Sequence, residues 1–402
     1  MSLTDIHEGI RRARKMAILT GAGISCNAGI PDFRSSNGLY NMTQQANTAA
    51  KGKELFDISA FSSEESVRNF ALFMSNLFLH TKDARPTKTH RFIADKIASK
   101  KVLRCYTQNI DAIEAKCGLN MDFNGPKTEK KLSTLQRWKS LDVVQLHGDL
   151  NSLKCTSCNK TTQWTRRIIN EFQQGELPEC PQCIDMCNRR VDAGKRSTGQ
   201  VGLLRPSIVL YGENHPNSEM ITQGLNSDLK SKPDFLLIMG TSLKVYGVKQ
   251  MVKSISQAVH AKGGLVVLVN RDPIAGWTGI IDHQINMDCD EFITLYENYE
   301  RTASVKKSPR KVSVQSMLGT PPSTPKKCRI RDILNTPTPS PSKKRRFDLY
   351  QDPVPVTPTH KRVSGMPTPE ESPVRSPRRS PLKIKNMLQS PKKPPSSKEV
   401  SL

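Results

Sequence analysis

The chain has 402 residues, with 61 Lys and Arg against 37 Asp and Glu and a formal net charge of +24. That length allows two or three domains, and the absence of any run of 18 apolar residues argues against a helix crossing a membrane. The charge is uneven: residues 301–402 hold 23 of the basic and 6 of the acidic residues, so +17 of the total lies there and +7 in residues 1–300.

The N-terminus has no apolar core of a signal peptide. Arg11, Arg12 and Arg14 stand too close to the first predicted strand, Lys15 to Leu19, for a removable leader. That strand feeds TGAGISCNAGIPDFRSSNGLY, residues 20–40. Gly21 and Gly23 permit a tight turn and close approach to a ligand, and amides at a helix start suit a phosphate. A Gly-x-Gly pair alone marks an ordinary strand-to-helix turn equally well. Asp32 and Arg34 then place an acid and a base on either side of Phe33.

Residues 41–85 read as a largely helical, polar excursion. Within it, Glu64 to His80 sets Val67, Phe70, Ala71, Met74, Leu77 and Phe78 on one helical face. A second helix is predicted over Pro86 to Lys100. Apolar runs at Val102–Thr107, Val143–Leu146, Ser207–Tyr211, Phe235–Met239 and Leu265–Asn270 suit strands buried on both faces. A third helix, Val245 to Ala261, ends at Gly263-Gly264. Strands alternating with helices predict an α/β fold built on a doubly wound parallel sheet.

The strand ends carry the candidate chemistry, because ligands of such folds bind at the carboxyl edge of the sheet. Gln108, Asn109, Ile110 and Asp111 follow one strand, where they serve equally as a helix cap. His147 follows another, in a place where a structural histidine is also common. Gly240, Thr241 and Ser242, and Asn270 and Arg271, follow two more and suit ribose or phosphate oxygens as well as plain turns. His90 and Trp164 read as packing residues. Cys26, Cys105, Cys117 and Cys289 read as buried thiols rather than nucleophiles.

Residues 148–204 interrupt the alternation with little helix or strand pattern. They hold Cys155-x-x-Cys158 and Cys180-x-x-Cys183, two knuckles that can set four thiolates tetrahedrally around one structural zinc ion. Cys187 is an alternative to Cys183. With ten cysteines and no secretory signal, a reduced intracellular chain fits better than a disulfide framework.

Beyond residue 300 the chain holds 18 of its 27 prolines and only two aromatics, Phe347 and Tyr350, a composition that predicts disorder. Lys343-Lys344-Arg345-Arg346 reads as a nuclear localisation signal, or else a solvated basic patch. Twelve Ser/Thr-Pro pairs, several followed by a basic residue, look like cyclin-dependent-kinase sites. Leu318 to Pro325 resembles a phosphodegron read by an F-box ubiquitin ligase. The basic tail also suits nonspecific contact with DNA.

The motifs GAGIS…GIPDFR, TQNID, LHGDL, the paired cysteines, RPSIVLYGE, GTSLKV and LVNRD occur together and in order over roughly residues 9–297. In this the chain resembles the sirtuins, NAD-dependent protein-lysine deacylases, and is most similar to the fungal branch acting on a core lysine of histone H3. The resemblance implies a Rossmann-type NAD domain and a small zinc-binding and helical module over residues 1–300, with insertions near 41–85 and 148–204, and a regulatory tail over 301–402. It implies that Gly21, Ala22, Gly23, Ile30, Asp32, Phe33, Arg34, Tyr40, Gln108, Asn109, Ile110 and Asp111 line the nicotinamide and ribose side of an NAD pocket. Gly240, Thr241, Ser242, Asn270, Arg271 and Cys289 would then approach the adenosine half.

Val209, Leu210, Tyr211 and Gly212, with Lys244 to Tyr246 and Val245 among them, match segments that sandwich an extended substrate. His147 is the implied general base, aided by Asn109 and Asp111, and NAD is consumed to give nicotinamide and O-acetyl-ADP-ribose. The implied setting is the nucleus, on acetylated histone and chromatin. Mono-ADP-ribosyl transfer, removal of longer acyl chains and a non-catalytic chromatin scaffold are the alternatives. Three departures stand out: the 36 positions from Asp111 to His147, which include a polar run at 124–131, Gly247 in place of a common proline, and Leu210-Tyr211 in place of a common Phe-Phe pair.

Overall fold

The computed structural model describes residues 1–32, 38–39, 52–124, 132–196 and 201–306. Phe33, Arg34, Tyr40, the 125–131 run and all features assigned to the tail beyond residue 306 lie outside them.

Nine strands are present among the described residues. They are β1 (Met16–Thr20), β2 (Val102–Thr107), β3 (Val143–Gln145), β4 (Gly148–Cys155), β5 (Thr161–Gln163), β6 (Leu204–Ile208), β7 (Phe235–Met239), β8 (Leu265–Asn270) and β9 (His283–Asn286). Six form one sheet in the order β3-β2-β1-β7-β8-β9, every pairing parallel. The chain winds outward from β1 in one direction through β2 and β3, and from β7 in the other. The reversal between β1 and β7 is the switch point at which doubly wound sheets open a crevice.

Continuous apolarity in β1 and β7 has a direct cause: every residue of both strands is buried. Successive side chains go to opposite faces. Met16, Ile18, Leu237, Met239, Val267 and Val269 pack with Ile6 and Ile10 of helix Leu3–Arg12, Phe92 and Ile93 of helix Lys88–Ala98, and Phe292 and Tyr296 of helix Cys289–Lys306. Ala17, Leu19, Leu236, Ile238, Val266 and Leu268 pack on the other face. Their partners are Trp138 of helix Thr134–Ser140, Met220 of helix Ser218–Lys230, and Val252, Ile255 and Val259 of helix Tyr246–His260.

Strands β4, β5 and β6 make a separate antiparallel sheet in the order β5-β4-β6. Its apolar cluster joins Leu150, Leu153 and Leu204 to Phe70 and Met74 of helix Glu64–Lys82 and Phe172 of helix Arg166–Gln173. Both interruptions of the strand–helix alternation thus contribute to one smaller module. The helix Glu64–Lys82 starts where Ser63 accepts the Ser66 amide and Glu64 and Glu65 occupy the first turn.

Two expectations are corrected. The run Ser207–Tyr211 is not a strand of the parallel sheet; β6 ends at Ile208 and pairs antiparallel with β4, with Leu204, Pro206 and Ile208 facing inward in alternation. The 148–204 stretch is also more regular than its sequence suggested, with two strands, helices Arg166–Gln173 and Pro181–Asp192, and the start of β6. The last helix runs to Lys306, past residue 300. No described helix is long and apolar enough to cross a membrane.

Candidate functional site

At the switch point the loops after β1 and β7 touch backbone to backbone. A Cβ on Gly23 would lie 2.6 Å from Gly240 Cα, and one on Gly240, whose φ is +61°, would lie 2.6 Å from the Ile24 nitrogen. The Gly21 and Gly23 amides donate to the Met239 and Gly240 carbonyls at 3.0 and 2.9 Å. These two amides therefore hold the loops together and are not held out for a phosphate. The segment that follows is not an α-helix but two short 3₁₀ turns, Ala22–Ile24 and Cys26–Ala28.

The loop after β2 docks on both. Gln108 donates from its backbone to the Thr20 carbonyl at 3.0 Å, and from Nε2 to Thr241 Oγ1 at 2.8 Å. Thr241 Oγ1 also accepts the amide of Leu243, a left-handed residue with φ 50°. Asn109 and Asp111 are 3% and 5% exposed, and the Ser25 hydroxyl joins them. Ser25 Oγ donates to Asp111 Oδ2 at 2.7 Å and accepts from Asn109 Nδ2 at 3.2 Å. Asp111 Oδ1 accepts the Ile113 amide at 3.1 Å across Ala112, which is itself left-handed. Burial raises the Asp111 carboxyl above its ordinary range, against the pull of these donors. Asn109 Oδ1 is buried with no hydrogen-bond partner.

His147 is the second of the two residues between β3 and β4, half-buried at the wall of the same cleft. Its Nδ1 lies 2.9 Å from the Gln108 carbonyl oxygen. A carbonyl only accepts, so Nδ1 carries the proton and Nε2 keeps its lone pair. Burial lowers its pKa from the ordinary 6.5, outweighing the Gln108 carbonyl.

These loops bound a cleft of about 1380 Å³. The structure brings Gly21, Ala22, Gly23, Ile30, Asp32, Gln108, Asn109, Ile110, His147, Gly240, Thr241, Ser242, Asn270, Arg271 and Cys289 to its wall, together with Val209, Leu210, Tyr211, Gly212, Lys244 and Val245. Asp111 is held behind that wall through Ser25. Arg271 is fixed by Asp288 at 2.7 Å, and Cys289 is buried with its thiol pushed well up. The 209–212 segment is anchored from behind: Val209 donates to the His147 carbonyl at 2.9 Å, and Tyr211 to the Phe56 carbonyl at 2.7 Å. The sequence reading missed Ser25, Phe56 and the Arg205–Glu213 ion pair, whose carboxylate also accepts the Leu210 amide at 3.1 Å. Of these, Ser25 had a signal inside the GAGIS motif, and Arg205 and Glu213 are the two ends of the RPSIVLYGE motif.

In the smaller module the sulfurs of Cys155, Cys158, Cys180 and Cys183 all lie within 4.8 Å of one another. Cys155–Cys183 and Cys158–Cys180 are 3.7 and 3.8 Å apart. A tetrahedral ion with zinc–sulfur bonds of about 2.3 Å sets its sulfurs about 3.8 Å apart, so the four-cysteine cluster suits a structural zinc. Cys187, one helical turn beyond Cys183, is not in the cluster. Trp164 stacks on Phe78 with ring centroids 4.4 Å apart, and His90 is fully buried, both as packing residues.

The sequence profile of the Sir2 family matches residues 21–124 and 134–247. The chain is 48% identical over 350 residues to the NAD-dependent histone deacetylase HST3 of Saccharomyces cerevisiae, covering 80% of this chain and 77% of that one. To the protein of the same name in Candida albicans it is 49% identical over 300 residues, 73% of this chain and 61% of the other. A solved structure bearing on sirtuin substrate affinity superposes with a TM-score of 0.52 at 25% identity, over 74% of this chain and 99% of its own. The matched profile takes in the loops after β1, β2 and β7 and the four cysteines, and this chain belongs to the Sir2 family.

Proposed function

We propose that this chain is an NAD-dependent protein-lysine deacetylase that acts on acetylated histone, with histone H3 the substrate favoured by its similarity to the fungal enzymes. The reading rests on family membership and on relatives named as NAD-dependent histone deacetylases. The observation that carries it in this chain is His147. Its Nδ1–H is tied to the Gln108 carbonyl at 2.9 Å, on the wall of a cleft backed by the orphaned Asn109 Oδ1.

The residues present fit NAD. The cleft lies at the switch point, and Asn109 Oδ1 is a buried acceptor awaiting a donor such as a ribose hydroxyl. Ala22, Ile30, Asp32, Gln108 and Asn109 would hold the nicotinamide ribose, and Thr241, Ser242, Asn270 and Arg271 the adenosine half. Phe33, Arg34 and Tyr40 join the first group by their motif alone. Bound there, NAD would supply an electrophilic ribose carbon, so that acetyl-lysine, NAD and one water would give free lysine, nicotinamide and O-acetyl-ADP-ribose.

The chain's own part is positional and acid–base. His147 stays neutral because burial lowers its pKa, and its Nε2 lone pair can take a hydroxyl proton. Ser25 locks Asn109 and Asp111 in one arrangement. Segments 209–212 and 244–245 line the cleft, where an extended acetyl-lysine peptide would lie between them. Cys155, Cys158, Cys180 and Cys183 would hold the zinc ion, away from the chemistry.

The division of the chain follows from this reading: residues 1–300 form the catalytic domain, and 301–402 a regulatory tail. The Lys343–Arg346 cluster supports nuclear residence. The Ser/Thr-Pro sites and the Leu318–Pro325 run support control by a cyclin-dependent kinase and an F-box ubiquitin ligase, and the basic tail supports weak DNA contact.

The test is to incubate the purified chain with acetylated histones, with and without NAD, and to weigh all products. The expected result is NAD-dependent loss of 42 Da, on the order of one acetyl group per nicotinamide released. ADP-ribose attached to protein, or no NAD-dependent change, would overturn the reading.

A further inference from the structure

Directly beneath the loop after β2 lies a second carboxyl that the chemistry above does not use. Glu114 sits three residues after Asp111, in the short helix Ile113–Lys116, and is fully buried. Neither of its oxygens has a hydrogen-bond partner. The left-handed backbone at Ala112 turns the chain between the two acids. Asp111 has two donors, the Ser25 hydroxyl and the Ile113 amide; near Glu114 the Thr107 hydroxyl offers weak relief, short of a full hydrogen bond. Two carboxylates in one buried pocket do not both ionise readily, and the proton goes to the one with fewer donors.

We propose that Glu114 is a positioning residue of the deacetylase site. It stays protonated during turnover, so that Asp111 holds the single negative charge of the pair, and its ionisation disturbs the Asp111–Ser25–Asn109 arrangement at the cleft wall. The inference rests on the deacetylase reading. It adds a residue that does not touch substrate and acts through Asp111.

The surroundings agree. Burial first, and then the Asp111 charge, push Glu114 up to about 8. From β2, Cys105 and Thr107 face it; the Thr107 hydroxyl gives slight relief, and the buried Cys105 thiol is itself pushed well up. Cys117 on the same segment is raised by burial and by the Glu114 charge. From helix Lys88–Ala98, Arg91 and Asp95 act on Cys117 with opposite signs. His90 of that helix is pushed down to about 4. Lys116 donates to the carbonyls of Thr81, Lys82 and Ala84, and its charge favours the ionised form of Asp111.

The experiment compares the full chain with Glu114→Gln, which mimics the protonated acid. NAD-dependent kcat/KM on an acetyl-histone peptide is followed from pH 6 to pH 9.5. The wild type should lose activity above about pH 8. The Gln variant should stay within about twofold of wild type at pH 7 and lack that alkaline fall. A second measurement needs no turnover. A carboxyl raised in the folded state is ionised in the unfolded chain from about pH 4.5 upward, so it destabilises the fold progressively between there and about pH 8. The Tm difference should therefore grow in favour of the Gln variant as pH rises from 5 to 8. An identical alkaline limb in both proteins, a tenfold loss at pH 7, a Tm difference independent of pH, or a variant unfolded at pH 5 would each overturn the proposal. A wild type with no NAD-dependent turnover would instead refute the deacetylase reading, and the Tm series would still report on Glu114.

Discussion

The parallel sheet and the smaller module reach order by different means. In the sheet, β1 and β7 bury every residue between two apolar layers, and no thiol of the cysteine cluster is needed. In the module, β4 alternates loosely between buried and half-buried positions, and β5 exposes both of its ends. Three of the four clustered cysteines are themselves part of the module's apolar core. A short antiparallel sheet with no fully buried strand has less burial to hold it than the larger sheet, and a metal held by the four cysteines would supply the difference.

The largest break in that comparison should come from the metal. Structural zinc contributes apparent folding energy on the order of 10 kcal/mol in small zinc modules. Cys155→Ser or Cys180→Ser, or treatment with a strong chelator, should release one zinc per chain by elemental analysis and unfold the module. Deacetylation should fall to background, because the 209–212 segment follows β6 directly. Full activity in zinc-free protein would remove the distinction between the two regions.

A smaller effect is expected inside the sheet's own site. Ser25→Ala takes one donor from the buried Asp111 and an acceptor from Asn109. Hydrogen bonds to charged groups are worth about 1.5–3 kcal/mol, so Tm should drop by several degrees and NAD affinity by about tenfold. Calorimetry and titration with NAD measure the two. An unchanged affinity would show that the Ser25 link does not set the Asn109 geometry.

The smallest effect concerns pH. Burial lowers the His147 pKa below 6.5 in the fold, so the unfolded chain binds more protons in the acid range. The stability owed to this group is present above about pH 6.5 and is lost as pH falls through the folded value. The acid limb of kcat/KM should accordingly lie below pH 6.5, as read from a pH–rate profile between pH 5 and 7.5. A limb centred above 6.5 would contradict the burial of this ring.

The sequence made the sheet legible where burial was complete. The runs at β1 and β7 are continuous because every residue is buried, and these two, like β2 and β8, are predicted within a residue of their observed spans. Ser207–Tyr211 misled for the same reason: an apolar run looks like a central strand whichever sheet it joins. The amphipathic helices Ser218–Lys230 and Cys289–Lys306 were passed over, since polar residues dilute their apolar stripe. At the site, residue types and their strand-end positions were readable. The Ser25 link was not, because it joins residues 84 and 86 positions apart. Likewise, the glycines of the first loop were read as facing a ligand, when the closest neighbour of Gly23 is Gly240.

The most direct test of the whole account is His147→Ala, because the reaction is assigned to a neutral imidazole with Nε2 open to the cleft. Deacetylation of an acetyl-histone peptide and the Kd for NAD should be measured on the same folded protein. Turnover should fall at least ~10²-fold, with NAD affinity within about threefold of wild type. Turnover close to wild type in the folded variant would contradict that assignment.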